Sequence, residues 1–124
     1  MSLFDWLLVC HLIGDFLLQT YSMAMRKEKE WSWMLRHVVV YMVPITVVVI
    51  RYAVTHSVPA WVAIVVLLFV AGVHTILDRR NFVKWWGRHI AQVPDHPWLP
   101  VVHDQVFHIV TLAIVAQAMV LAGR

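Results

Sequence analysis

Charge is scarce in this chain, and cysteine scarcer still. Lys, Arg, Asp and Glu together make up 14% of the 124 residues, while hydrophobic types reach 61%. An ordinary soluble domain carries about 25% charged residues, so that class is excluded. The length suits one domain, 1–124. A single cysteine, Cys10, rules out an internal disulfide and reads as a small apolar packing residue. No H-E-x-x-H run is present, which removes the common zinc-protease pattern, and there is no Gly-rich nucleotide loop. The net charge of +3 does not signal nucleic acid, because the basic residues flank apolar runs where topology and lipid head groups account for them. A cleavable leader is not expected either. Ser22-Met23-Ala24 loosely resembles a small-x-small cleavage site, but no positive region precedes the first apolar run, whose core carries His11 and Asp15.

What is present is four apolar runs, at about 3–20, 33–54, 59–77 and 101–122. Each approaches the roughly 20 residues a helix needs to cross a bilayer. The second contains Pro44, a site for a kink, and the third starts on Pro59, which suits a helix beginning. The breaker-rich stretch Pro94-Asp95-His96-Pro97-Trp98-Leu99-Pro100 precedes the fourth. The expected fold is all-α, a four-helix transmembrane bundle with an interfacial segment between helices three and four. That segment, 81–90, mixes aromatic and cationic residues and suits either an anchor or a lid on the inner leaflet.

Successive spans alternate in direction, so both long loops share one face. Arg26, Lys27, Lys29, Arg36, Arg79, Arg80, Lys84 and Arg88 lie on it, against Arg51 and Arg124 on the other. The positive-inside rule then puts both long loops in the cytoplasm and both termini outside. Trp6 and Trp61 mark the outer interface, and Trp31, Trp33, Trp85, Trp86 and Trp98 the inner.

Seven ionisable residues fall in the cytoplasmic half of these runs: His11, Asp15, His37, His74, Asp78, Asp104 and His108. The pairs His11/Asp15, His74/Asp78 and Asp104/His108 have i,i+4 spacing, which puts both members on one helix face. From the helical rise, all seven fit a slab about two or three turns thick. Ionisable groups at membrane depth are costly and mark functional sites by default. Neighbours on the same stripes (Gln19, Tyr41 and Thr111) extend the polar face, and Gly14 permits a close helix approach. The outer halves, by contrast, are almost wholly apolar and read as a closed floor.

Three ionised aspartates would cost about 8–10 kcal/mol unpaired at depth. No lysine or arginine lies within the slab unless Arg36 or Arg79 folds inward, so a bound cation is expected. Imidazole with carboxylate suits a divalent transition metal, zinc first, as one ion or two. Asp beside His serves as ligand or as the acceptor that orients the ring. The plainer alternative is interhelical hydrogen bonding. His103 is a rim candidate. His56, His89 and His96 are expected to be solvated, and Asp5 to pair with Arg51.

The run His11-Leu12-Ile13-Gly14-Asp15-Phe16-Leu17-Leu18-Gln19, then His74-Thr75-Ile76-Leu77-Asp78 and Asp104-Gln105-Val106-Phe107-His108, resembles a family of small bacterial integral membrane proteins of unknown function. That family has an H-x-x-G-D-F-x-x-Q opening and later His and Asp motifs. The resemblance implies a bacterial inner-membrane protein and maps onto His11, Gly14, Asp15, Gln19, His74, Asp78, Asp104, Gln105 and His108, without supplying an activity.

Three functions compete. A metal-dependent membrane hydrolase would use a metal-activated water, with Asp15 or Asp78 as general base, on a lipid-like or amphipathic substrate. A metal-ion or proton-coupled transporter would use the His/Asp chain as a relay, although the apolar floor disfavours it. A structural or regulatory subunit would use the pairs as glue. Membrane lipids are expected partners and nucleic acid is not. A homo-oligomer is permitted rather than required.

Overall fold

The structure is a computed structural model that describes residues 1–93 and 96–124. Pro94 and Asp95, within the breaker-rich stretch, lie outside the described residues. The described residues are all-helical: α1 (Leu3–Leu12), α2 (Tyr21–Arg26), α3 (Trp31–Thr55), α4 (Ala60–Asp78), α5 (Asn81–His89) and α6 (Leu99–Ala122). Three of these, α3, α4 and α6, are long and apolar enough to cross a membrane.

The first apolar run differs from the expected helix over 3–20. Ser2 and Asp5 start α1 with a reciprocal cap, in which the Asp5 amide donates to the Ser2 hydroxyl and the Ser2 amide to Asp5. Asp5 is therefore engaged at the helix start rather than with Arg51. After Leu12 the chain widens into a π-helical turn, Ile13–Leu17, closed by the Leu18 amide on the Ile13 carbonyl at 2.9 Å. Regular helix ends there, so Gln19 does not continue the His11–Asp15 row. Thr20 instead caps α2, its hydroxyl accepting from the Met23 amide.

The longer helices match their apolar runs to within a few residues. Pro44 lies inside α3, which remains continuous across it. Arg80 adopts a left-handed backbone (φ 60°) at the corner between α4 and α5, reversing the chain where the sequence offers no glycine. The segment expected as interfacial is helical: α5 buries Val83 and sets Phe82 and Trp86 against Phe107 of α6.

α1 packs on α3 and α6, and α4 packs on the same two helices. Their shared interior is apolar over one half of its length, filled by Leu7, Ile45, Val49, Val66, Val70, Leu112, Val115 and Met119. Outward faces carry Val39, Val43, Val47, Leu68, Val106 and Ile114, among other exposed apolar residues. An apolar exterior of this extent suits lipid rather than water.

Candidate metal centre

Beyond the apolar core, the helix interiors turn polar at one end. His11, Asp15, His37, His74, Asp78, Asp104 and His108 are each at most 4% exposed. All seven residues singled out by spacing and depth thus occupy the interior. Among the described residues one further charged side chain is buried, Lys27.

Each helix delivers its share by simple geometry. α1 ends with His11 facing inward, and the π-helical turn carries Asp15 to the same interior. α3 supplies His37 and, one turn below, Tyr41. α4 supplies His74 and Asp78 at its last two turns, and α6 supplies Asp104 and His108 from its second and third. Gly14 permits a close approach to Tyr41 of α3. A Cβ there would lie 2.7 Å from Tyr41 Cδ2 and 3.2 Å from Tyr41 Cα, so any side chain would push the Asp15 turn off α3.

Atoms able to bind a metal converge tightly. Asp15, His74, Asp78 and His108 each offer one ligand atom, and these atoms lie within 4.8 Å of one another. Such a group could hold a metal ion. His37 crowds the same space: its Nε2 is 2.8 Å from Asp78 Oδ2, 3.2 Å from Asp15 Oδ1 and 3.0 Å from His74 Nε2. His74 Nε2 is in turn 3.4 Å from Asp78 Oδ2 and 3.6 Å from Asp15 Oδ1. For bonds of about 2.0–2.1 Å, ligand atoms on a tetrahedral ion sit about 3.3 Å apart, close to these separations. An imidazole nitrogen carries one proton or one lone pair, so His37 Nε2 cannot hydrogen-bond to all its neighbours at once.

His11 and Asp104 flank this centre. His11 Nδ1 is 3.1 Å from the Tyr41 hydroxyl, and its Nε2 donates to Gln105 Oε1 at 2.9 Å. The Gln105 amide is 3.4 Å from both Asp15 Oδ2 and Asp104 Oδ2. The His108 Nδ1–H donates to the Asp104 carbonyl at 2.8 Å, which points His108 Nε2 toward His74 and Asp78. Tyr41 lies flat on His74, rings 3.6 Å apart and 8° from parallel, fixing that imidazole's plane. Such contacts are what orient ligating rings. Two buried carboxylate oxygens, Asp15 Oδ1 and Asp104 Oδ1, make no well-formed hydrogen bond, although His37 Nε2 lies 3.2 Å from the first and His108 Nδ1 3.5 Å from the second. A buried acceptor left this way costs about 1–3 kcal/mol.

The expected absence of a lysine or arginine among these groups is overturned. Lys27 enters from the turn after α2, where its ammonium donates to Asp78 Oδ2 at 2.5 Å and lies 3.2 Å from His37 Nε2. Arg36 and Arg79, the candidates for folding inward, stack instead on Trp33 and Trp31. Lys27 sits in the charged run Arg26-Lys27-Glu28-Lys29-Glu30, whose composition reads as a solvated loop. The one available signal was the unmet demand of three aspartates for a cation. Thr111, expected on the polar face, turns its hydroxyl to the Phe107 carbonyl of its own helix. His103 lines a small pocket with Lys84, Gly87 and Arg88, apart from the buried cluster.

Residues 3–124 match the model of a family described as a protein of unknown function (DUF3307). The chain belongs to that family. The match takes in every helix and every residue of the buried cluster, and the family's description assigns no chemistry to them. No curated protein and no solved structure matches the chain.

Proposed function

We propose that this protein is a metal-dependent membrane hydrolase, with the His/Asp cluster as its metal site. One observation carries the reading: the described residues that bury a carboxylate, imidazole or ammonium group are the seven His and Asp residues and Lys27, all in one place. Structural hydrogen bonding alone needs neither so many groups nor carboxylate oxygens left without well-formed hydrogen bonds. Two imidazoles with two carboxylates suit zinc first among the first-row metals.

A bound ion would supply an activated water and polarise a carbonyl or phosphoryl oxygen. Of the two candidate bases, Asp15 is the better placed. Asp78 Oδ2 accepts from the Lys27 ammonium at 2.5 Å and lies 2.8 Å from His37, whereas the contacts of Asp15 are longer, His37 Nε2 at 3.2 Å from Oδ1 and Gln105 and His11 at 3.4 and 3.7 Å from Oδ2. A carboxylate can ligate through one oxygen and move a proton with the other.

The architecture in this reading is a four-helix transmembrane bundle, α1, α3, α4 and α6, with α5 lying at the inner interface. Lys and Arg crowd the end nearest the cluster, which favours a site opening to the cytoplasm with both termini external. In α5, Trp85 and Arg88 are exposed on the side away from buried Val83, a pattern suited to anionic lipid head groups. The substrate is accordingly lipid-like or amphipathic, reaching the site from the inner leaflet of a bacterial plasma membrane. The apolar core beyond the cluster gives no polar route onward, which disfavours a transporter.

Elemental analysis of detergent-purified protein tests the metal site, with metal supplied and chelators absent. Wild type should carry stoichiometric transition metal, and His74→Ala and Asp78→Ala should lose most of it. Metal-free wild type under those conditions would leave the cluster as interhelical glue.

A further inference from the structure

Lys27 changes the charge count of the site. Three ionised aspartates and one ammonium leave two negative charges, which a single divalent ion neutralises. Without Lys27, one ion would leave a negative charge in the low-dielectric interior and two ions would leave a positive one. Placement agrees with the count. The Lys27 ammonium does not approach the four-residue ligand group at random; it lies against Asp78 Oδ2 and His37 Nε2. His37 is the imidazole that crowds this group while standing outside it. His37 with Asp78 and Asp15 would be the natural ligands of a second ion, since paired metal ions sit about 3.5–4 Å apart and share a carboxylate.

The backbone is arranged to keep Lys27 there. Its amide closes the last turn of α2 on the Met23 carbonyl at 2.9 Å. The next residue, Glu28, points the other way and pairs with Lys84 of α5, with Arg80 also within 4.0 Å. The turn is therefore pinned from outside by α5 while Lys27 reaches inward. A lysine that served only solubility or topology would remain in water, as Lys29 does.

We infer that Lys27 is a built-in second cation: its ammonium fills the subsite of His37 and Asp78, so the centre takes one divalent ion where the ligand set alone could take two. This rests on the metal-site reading above and settles the number of ions within it. Zinc or cobalt added in excess to wild type, Lys27→Arg and Lys27→Met, followed by removal of loose metal and counting of ions per chain, tests it. The expected counts are one for wild type, one for Lys27→Arg and two for Lys27→Met, whose unbranched side chain is one atom shorter and carries no charge. Cobalt spectra of Lys27→Met should show the second ion as a new set of visible bands. If Lys27→Met does not yield monodisperse protein, Lys27→Gln carries the same comparison.

Two ions in wild type, or one in both wild type and the neutral variant, overturns the inference and leaves the metal site standing. No ion in any of the proteins overturns both.

Discussion

The two ends of the same helices are built on opposite principles. In the apolar half, Ile45, Val49, Val66, Val70, Leu112, Val115 and Met119 fill the interior, and no charge is buried among them. In the polar half, the space between the same helices holds four histidines, three aspartates and a lysine, the lysine entering from the turn after α2. The first half is what stability alone would select. The second opposes stability, since desolvated ions and carboxylate oxygens without well-formed hydrogen bonds each raise the free energy of the folded chain. So many costly groups gathered in one place beside an apolar core are what the proposed metal site would require, and a purely structural role would not.

This contrast is most sharply tested by one substitution from each half. Asp78→Ala should destabilise by about 3–5 kcal/mol, because it leaves the Lys27 ammonium buried without its carboxylate, and should also remove most of the metal. Leu112→Ala should destabilise by about 2–5 kcal/mol through the cavity it opens, yet retain the full metal content. Thermal unfolding in detergent, with metal content measured on the same samples, separates the two. Metal loss in Leu112→Ala would mean that the halves are not independent.

A smaller effect is expected at the boundary. Gly14→Ala places a methyl against Tyr41, including its backbone, and overpacking of this kind costs about 1–3 kcal/mol. Gly72→Ala, in an open stretch of α4 with nothing within 4 Å, should be neutral or stabilising by up to about 1 kcal/mol. Equal melting temperatures for the two variants would show that the π-helical turn is not pressed against α3.

Most of the site is legible in the sequence because it obeys helical spacing. The pairs His74/Asp78 and Asp104/His108 lie on regular helices, so i,i+4 periodicity and depth suffice to bring them together. His11 and Asp15 are found by the same rule, although Asp15 stands on a π-helical turn that periodicity does not announce. Lys27 escapes because its position depends on where a short loop helix ends, which tertiary packing decides. The short helices α2 and α5 are hidden for the same reason: neither has an apolar run of spanning length, and each forms against a neighbour. Removing Lys27 from the solvated cations does not reverse the topology argument, since the remaining basic residues still favour the same face.

The central claim is that a metal ion sits among Asp15, His74, Asp78 and His108. Anomalous diffraction at the zinc absorption edge, from crystals of protein purified without chelator, tests it directly. One peak enclosed by those four side chains is the predicted result. A map without such a peak, showing the imidazoles and carboxylates bonded directly to one another, would contradict it.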